Sequence, residues 1–352
     1  MGKRFQAGII TANPTHPTAK LGTSVASGVW NLVDQLRFIN ADTWPTAGVV
    51  APPPERVLIA GGYGSDLTNV VDTYLITSAG NASDFGDLLA AKNQVWGAGS
   101  TTRAIIMGGH SAQNVIQYFT YASAGNATDF GDLLTVLKHA NACANSTRVI
   151  TGGGQDEIGS PESTDVIQYV VTASTGNATD FGDLSSSREP EGGGAVCSTT
   201  RGLFAGGSPD CSTNSAQFVN TIDYITMASA ANAVDFGDLL SAKYQMGGIS
   251  NATRGIWAGG TDSGVSNVIQ FCIIASTGNT TDFGDLTQTV IGSAGASGAT
   301  KGTINGGTWA GSIANNIDVL NISSSGNSTD FGDLTLARNN LGSASAGHAG
   351  CK

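Results

Sequence analysis

Pairs of aspartates recur along this chain in a nearly constant setting. The segment GNATDFGDL at Gly125 returns with small changes at five further positions, beginning at Gly80, Gly176, Ala231, Gly278 and Gly326. Each copy places two carboxylates three residues apart, as at Asp129 and Asp132. Carboxylate oxygens are the ligands that hard cations such as magnesium and calcium prefer. Metal binding is therefore the first function that these residues suggest.

Two metal-binding interpretations compete with a structural one. Asp-Phe-Gly also occurs in the magnesium loop of protein kinases, where a single copy works with a glycine-rich phosphate loop, a strand lysine and a His-Arg-Asp loop. The sequence has none of those partners. Calcium bound by the paired aspartates stays open as an alternative, although calcium loops usually cluster more acidic ligands. A motif repeated at a steady period is typical of a structural unit, so we expect no metal and no cofactor.

The phenylalanines of the motif define the period of the repeat. Their spacings are 45, 51, 55, 47 and 48 residues, as expected for a four-stranded propeller blade. We expect the rings to pack between neighbouring blades, and the following glycine to admit a bulge or a close backbone approach. The six copies are Phe85, Phe130, Phe181, Phe236, Phe283 and Phe331.

Each repeat divides into four short strand candidates. A basic residue opens an apolar run that ends in two glycines, as in RAIIMGG from Arg103, and a second apolar strand follows, as in NVIQYFTYA from Asn114. DFGDL is the third candidate, and a segment of small residues such as GGGAVCS from Gly192 is the fourth. Small residues suit the innermost strand of a propeller, where backbones converge.

The two ends of the chain indicate how the repeats are joined. The first repeat lacks its own small-residue strand, and the last DFGDL is followed by Leu336–Gly350, which looks like that strand. The C-terminal strand would complete the first blade and remove open sheet edges. The sequence thus predicts an all-β fold, a six-bladed β-propeller of four-stranded antiparallel blades over residues 52–352 that is closed by the C-terminal strand, with a short N-terminal extension over residues 1–51.

The aspartates of the motif receive structural roles in this interpretation. The first is expected to accept amide hydrogens of the turn, because Asn-x-x-Asp is turn chemistry. The second is expected to form a bidentate pair with the basic residue of a repeat. The second aspartates are Asp87, Asp132, Asp183, Asp238, Asp285 and Asp333, and the arginines are Arg103, Arg148, Arg201 and Arg254.

The loop after the glycine pair differs most between repeats, whereas the Gly-Asn turn is nearly constant. In a four-stranded blade these connections leave at opposite faces, so one face is uniform and the other individual. Surface loops on a rigid scaffold are where binding usually resides, although unconstrained drift would give the same variety. Candidate contacts on the variable face are Tyr63, His110, Asp156, Glu157, Asp210, Phe218, Asp262 and Trp309.

Composition argues against several classes of protein. Twelve of the 27 acidic residues lie in the six motifs, and the net charge of −11 disfavours a broad nucleic-acid-binding face. The sequence has no run of about 18 apolar residues, which predicts no membrane insertion, and its N-terminus lacks a signal-peptide pattern. The five cysteines show no CxxC spacing and the four histidines are scattered, so we predict no zinc site and no catalytic constellation.

The first fifty residues hold no repeat. Apolar positions between Leu32 and Ile39 fit one short helix, which Trp30 and Trp44 flank. This segment is too small for a core of its own. We therefore expect residues 1–51 to anchor the propeller to another protein through Trp30, Leu36 and Trp44.

The segment SGVWNLVDQLRF with the following TWP, together with the TRG…GG and GNATDFGDL series, resembles virion structural proteins of tailed bacteriophages, notably those of marine bacteria and cyanobacteria. The glycine-pair strands also look like kelch-type propellers, but the Tyr and Trp positions of kelch are not kept. The resemblance implies a non-enzymatic virion protein, assembled in the host cytoplasm, that contacts other virion proteins through residues 1–51.

The place of such a protein in the particle stays open at this point. A tail fibre or a tail or baseplate appendage would bind a host-surface glycan or protein through its variable loops, and it could be a homo-oligomer in the particle. A capsid decoration protein is one alternative. A glycan-binding lectin is another, and a glycan-cleaving propeller would need carboxylates at glycosidase spacing.

Overall fold

A computed structural model describes residues 55–110, 113–156, 162–190, 194–209, 211 and 217–347. The predicted anchoring segment 1–51, with Trp30, Leu36 and Trp44, lies outside these residues, as do Glu157 and Asp210. The secondary-structure elements of the described part are all strands, which confirms the all-β prediction. Within the same ranges, no helix has the length and apolar character needed to cross a bilayer.

The described residues form six four-stranded antiparallel sheets and two small three-stranded ones. Sheet 1 begins with β1 (Arg56–Ala60), β2 (Val70–Leu75) and β3 (Ser83–Asp87). Sheet 2 contains β4 (Trp96–Gly99), β5 (Arg103–Met107), β6 (Val115–Thr120) and β7 (Thr128–Asp132). The first small sheet contains β8 (Leu137–Lys138), β11 (Gln155–Asp156) and β12 (Glu162–Ser163). Sheet 3 contains β9 (Asn141–Ala144), β10 (Arg148–Gly152), β13 (Val166–Val171) and β14 (Thr179–Asp183).

The remaining strands follow the same order of segments. Sheet 4 contains β15 (Ala195–Cys197), β16 (Arg201–Ala205), β17 (Thr221–Thr226) and β18 (Val234–Asp238). Sheet 5 contains β19 (Tyr244–Ser250), β20 (Arg254–Thr261), β21 (Val268–Ile273) and β22 (Thr281–Asp285). The second small sheet contains β23 (Val290–Ile291), β26 (Thr308–Trp309) and β27 (Ser312–Ile313). Sheet 6 contains β24 (Ala294–Ser297), β25 (Lys301–Asn305), β28 (Asn316–Asn321) and β29 (Thr329–Asp333), and β30 (Gly342–Ser345) ends the described chain.

Sheet 1 takes its fourth strand from the C-terminus. Strand β30 pairs antiparallel with β1 and places Ala344 opposite Leu58. This is the position at which the sequence predicted the strand that the first repeat lacks. The pairing satisfies backbone groups that would otherwise form an open edge of β1.

The hydrophobic cores lie between consecutive sheets. The ring of Phe130 packs in one buried cluster with Ile105 of sheet 2 and Val149 of sheet 3. In the same way, Phe331 of sheet 6 shares a cluster with Val57 of sheet 1. All six motif phenylalanines are buried in such clusters, so their predicted packing between neighbouring sheets is confirmed.

The Gly-Asn turns bond each sheet to the preceding one. The amide of Gly176 donates to the carbonyl of Phe130 at 2.7 Å, and Asn177 Oδ1 accepts the backbone amide of Asp132 at 3.1 Å. The motif asparagine therefore acts between repeats rather than within its own turn. The other five bonds join Asn81 to Asp333, Asn126 to Asp87, Asn232 to Asp183, Asn279 to Asp238 and Asn327 to Asp285.

The glycine of the motif is required by the same contact. Gly131 has a φ of 147°, and a Cβ atom there would lie 2.4 Å from the carbonyl oxygen of Gly176. The pairing of β6 with β7 also shifts register between Ile116 and Gln117. The predicted bulge and close backbone approach are both confirmed.

The predicted pairing of the second aspartates with the repeat arginines is wrong. Arg103 begins β5 at one end of sheet 2, whereas Asp132 ends β7 at the opposite end. The guanidinium of Arg103 instead lies 4.8 Å from the ring centroid of Tyr118 and donates to the carbonyl of Thr172 at 2.9 Å. The other three predicted arginines repeat this contact: Arg148 with Met227, Arg201 with Ile274 and Arg254 with Ile322.

The first aspartates also differ from the prediction. Asp129 lies exposed in β7, and the same holds at the equivalent position of the other sheets. The asparagine of the motif is the acceptor instead, and it accepts the amide of the second aspartate in the preceding motif rather than a turn amide.

A second set of polar contacts joins the sheets from inside. The third residue of β13, Gln168, is fully buried, and its Oε1 accepts the amide of Leu134 at 2.8 Å. Asp223 and Asp72 take the equivalent place and bind buried arginines, Arg188 at 2.7 Å and Arg338 at 3.0 Å respectively. Asp–Arg pairs therefore exist in this fold, but between residues that the sequence analysis did not pair.

Candidate functional site

The two ends of the sheets carry different connections. The loop after the glycine pair, such as the one between β5 and β6, leaves at the same end as the segment that leads from a DFGDL strand to the next sheet, because the strands are antiparallel. We call this the loop end. The Gly-Asn turns leave at the opposite end, the turn end, and their residues make the same hydrogen bonds to the preceding motif in every repeat. The two small sheets belong to the loop end, and they occur in some repeats and not in others.

Five of the six segments that lead to the next sheet share an unusual backbone conformation. Gln94, His139, Gln245 and Asn340 have φ values between 51° and 62°, in the left-handed region, and Gly292 has a φ of 63°. Backbone bonds link some of them in series: His139 N donates to Gln94 O and Gln94 N donates to Asn340 O. Glutamine and histidine are held in this region only where the surroundings fix them, as is frequent at functional sites.

A cavity of about 340 Å³ opens at the loop end, where segments leading to or belonging to sheets 2, 3, 4 and 5 meet. Its walls combine a carboxylate, an imidazole, amides and two aromatic rings. The side chains that matter below are Gln94, His139, Gln155, Glu189, Phe218 and Tyr244.

Glu189 is the centre of the polar wall. It is 2% exposed, and its backbone forms a reciprocal pair with Ser208, with N to O distances of 2.8 and 2.9 Å. Its Oε1 is hydrogen-bonded to Nδ1 of His139 and accepts the hydroxyl of Tyr244 at 3.1 Å. Two side chains from different parts of the chain thus fix one buried carboxylate.

Two aromatic rings form the apolar wall. Phe218 and Tyr244 stack with their ring centroids 5.2 Å apart and an interplanar angle of 27°. Phe218 was predicted as a contact on the variable face. It lines the cavity, although it is buried rather than freely exposed.

Amide groups complete the cavity. Gln155 lies in β11 opposite Lys138 of β8, so the first small sheet sets its position. The Oε1 atom of Gln94 is buried, and it has no hydrogen-bond partner within the part of the chain that the structure describes. A buried amide oxygen without a partner costs free energy unless a ligand or water supplies a donor.

The thiol of Cys211 also reaches the cavity. Burial, followed by the charge of Glu189 and a hydrogen bond to it, raises the pKa of this thiol to about 12. The thiol is therefore protonated near neutral pH and lacks the thiolate that nucleophilic chemistry requires. Across the described ranges, no group of three His, Cys, Asp or Glu residues is arranged to hold a metal ion.

The other described contacts predicted from the sequence are spread over the loop end and do not line the cavity. Tyr63 is 42% exposed, and His110 is exposed as well. Asp156 lies in β11, next to Gln155. The carboxylate of Asp262 accepts the hydroxyl of Ser241 at 3.1 Å.

Trp309 corrects the prediction of a surface contact. It is 3% exposed and packs in the same cluster as Leu286 and Val290. Its indole nitrogen donates to the carbonyl of Gly306. The loop that contains Trp309 folds back through the second small sheet, in which Trp309 pairs with Val290. The indole ring therefore covers the hydrophobic cluster of its own repeat.

Sequence reasoning missed most of the cavity. His139 looked isolated because its partner Glu189 lies 50 residues further along the chain. A signal was present in the spacing of the motifs: the two longest intervals, 51 and 55 residues, bring Gln155, Glu189 and Phe218 to the cavity. The longer intervals thus mark the repeats whose loops line this cavity.

No protein-family model matches the chain, and no curated protein matches it.

Proposed function

We propose that this chain is a non-enzymatic six-bladed β-propeller of a tailed-phage virion, a tail fibre or a tail or baseplate appendage. Its loop end binds the host surface or a neighbouring subunit. The observation that carries the proposal is the contrast between the two ends of the sheets. One end repeats the same contacts, and the other has unlike loops around a cavity.

Contacts between the small-residue strands of successive sheets support a closed ring. Strand β4 contacts β9, β9 contacts β15, β15 contacts β19, β19 contacts β24, β24 contacts β30, and β30 contacts β4. Hydroxyls bridge some neighbours, since Ser297 Oγ accepts the amide of Ser250 at 2.9 Å. A ring of this order would leave few open edges, which favours a propeller closed by β30.

The chemistry of the cavity supports binding rather than catalysis. The carboxylate of Glu189 is already held by His139 and Tyr244, and the raised pKa of Cys211 keeps its thiol protonated. Such a wall can hold and orient a ligand, but it offers no activated nucleophile.

The place in a virion rests on the sequence resemblance. In this proposal residues 1–51 contact other virion proteins through Trp30, Leu36 and Trp44, and the protein assembles in the host cytoplasm. The acidic balance of the chain, −11 at pH 7, supports a role without nucleic acid.

Labelling on intact particles tests the proposal. One label binds residues 1–50, a second binds the loop at 208–219, and a third binds the turn end at Asn126. We expect electron microscopy to show the label on the loop at 208–219 pointing outward at the tail. The label for residues 1–50 should not reach its target, because that segment contacts other virion proteins in this proposal. Labels lying flat on the head would make the protein a capsid decoration. Absence of all three labels from purified particles would overturn the virion proposal.

A further inference from the structure

We propose that the cavity at the loop end binds a neutral hydroxylated ring, one sugar unit taken free or at the end of a glycan. The inference deepens the proposed function, on which it rests for its biological setting, by naming the class of surface ligand. Its physical basis is the cavity itself.

The size of the cavity fits a small ligand. Its volume of about 340 Å³ lies at the lower end of the range of about 300–1,000 Å³ usual for ligand pockets. A single six-membered ring with its hydroxyls is of that order, whereas a peptide segment or a nucleotide needs a longer cleft.

The apolar wall fits one face of a sugar ring. Phe218 and Tyr244 stack at 5.2 Å and form a rigid aromatic surface. The hydroxyl of Tyr244 is held by Glu189, so this ring cannot turn away from the stack without breaking that hydrogen bond. The C–H face of a pyranose is flat and apolar, and it can cover such a surface while its hydroxyls point to the sides.

The polar wall fits hydroxyl groups. Gln94 Oε1 is buried and lacks a partner within the described residues, and so it can accept a hydrogen bond from a ligand. Gln155 and Gln245 line the same cavity with further amides. Amides donate and accept, as hydroxyls do, so neighbouring hydroxyls on one ring can satisfy both functions.

The charge of the wall favours a neutral ligand. Of the described residues that line the cavity, none is an arginine or lysine that could receive a carboxylate or phosphate, although Lys138 lies opposite Gln155 in the first small sheet. Glu189 would repel such an anion. A cation would have to compete with the contacts that His139 and Tyr244 already make to the same carboxylate.

The site is preorganised and belongs to one side of the loop end. Gln94 and Gln245 extend from backbones fixed at φ values of 57° and 62°. The corresponding places near sheet 6 and sheet 1 are taken by Gly292 and Asn340, which have shorter side chains or none. One site per chain is expected, rather than one site per repeat.

Saturation-transfer NMR on the purified full-length protein tests the inference. The probes are methyl glycosides of neutral hexoses and N-acetylhexosamines at millimolar concentration, with methyl sialoside as the anionic comparison. We expect at least one neutral glycoside to bind with a Kd on the order of 1 mM, as for a ligand of few atoms, and the sialoside not to bind.

Two variants locate the site. Gln94→Asn withdraws the amide from the cavity but keeps a residue that Asn340 shows to be compatible with the same backbone conformation, and we expect at least tenfold weaker binding. Phe218→Ala removes the stacking face, and we expect loss of the signal. The matched control is Leu336→Ala, at an exposed apolar residue of the loop end outside this cavity, which is expected to bind as the parent does.

The outcomes separate this inference from the proposed function. Binding of no neutral glycoside, or binding unchanged in both cavity variants, overturns the sugar site. If Phe218→Ala does not fold, Gln94→Asn decides alone. A protein found at the tail but unable to bind sugars keeps the proposed function and loses this site. A sugar-binding protein absent from particles does the reverse.

Discussion

The turn end and the loop end are built on the same six sheets, yet they use their residues in opposite ways. The turns of the turn end make one recurring bond, in which the asparagine of a turn accepts the amide of the second aspartate of the preceding motif, as Asn177 does from Asp132. At the loop end, equivalent positions hold Gln94, His139 and Gly292, with unlike side chains. The residues that join neighbouring sheets are thus repeated, whereas the residues at the surface that can contact a ligand differ between repeats.

A third region lies between these ends, where the buried polar side chains differ from repeat to repeat. Gln168 accepts an amide and has Leu137 at the place where Asp72 has Arg338. The equivalent Asp318 is buried as well, but it has Val290 at that place, and the hydroxyls of Thr287 and Ser328 donate to its carboxylate. A buried carboxylate needs donors, and these can come from a cation or from hydroxyl groups.

Removing the strand that joins the two ends of the chain should have the largest effect. Deletion of Leu336–Lys352 removes β30 and leaves Asp72 buried without Arg338. We expect no cooperative thermal unfolding, as followed by circular dichroism. Deletion of His348–Lys352 alone removes none of the described contacts and is the control. An unchanged melting temperature in the longer deletion would contradict the role of this strand.

Truncating a motif phenylalanine should break one joint between sheets. Phe181→Ala is expected to cost about 3–5 kcal/mol in the free energy of unfolding, because the ring is buried between two sheets. Chemical denaturation measures the change. Val171→Ala, at an exposed position, is the control and should change stability by less than about 0.5 kcal/mol. A loss below about 1 kcal/mol at Phe181 would place its ring outside the core.

The buried pair of Asp72 and Arg338 tests whether a carboxylate and its cation can be replaced together. Arg338→Leu should cost about 3–5 kcal/mol, because Asp72 stays buried without its cation. The double variant Asp72→Gln with Arg338→Leu recreates the Gln168–Leu137 combination and should regain most of that loss. Denaturation of the three proteins decides. A double variant no more stable than the single one would refute the pairwise account.

One asparagine at the turn end should matter modestly and equally in every repeat. Asn126→Ala and Asn177→Ala each remove the acceptor of one exposed backbone amide, and we expect each to cost about 1 kcal/mol. Gln94→Asn at the loop end should leave stability within about 0.5 kcal/mol while it weakens ligand binding. Unequal effects of the two asparagine variants would break the uniformity assigned to the turn end.

The smallest expected effect concerns reactivity rather than stability. Burial, followed by the charge of Glu189 and its hydrogen bond, raises the pKa of Cys211 to about 12. Iodoacetamide should therefore alkylate this thiol slowly at pH 7.5 in the folded protein, and readily in urea. Peptide mass spectrometry follows the site. Glu189→Gln removes one of the causes and should speed the reaction severalfold. Rapid alkylation of the parent would contradict a protonated thiol and revive a nucleophilic role.

Much of the fold was predictable because each repeat contains residues whose local conformational preferences determine its turns and strands. The glycine pairs, the Gly-Asn turns and the DFGD bulge fix where strands begin, bend and end, and these depend on neighbours in sequence. The packing of Phe130 and the strand after Leu336 followed from counting the repeats. The candidate site was less predictable, and of its wall only Phe218 was identified, through the variety of its loop.

The sequence by itself determined the all-β class, the order of strands in each sheet, the buried phenylalanines and the contrast between a uniform and an individual end. Only the tertiary structure decided which side chains meet. Arg103 donates to the carbonyl of Thr172 rather than to Asp132, because Arg103 and Asp132 lie at opposite ends of their sheet. The tertiary structure also joins His139 to Glu189 across 50 residues. Such contacts depend on how separate repeats are placed in space, and no periodic pattern in the chain records that placement.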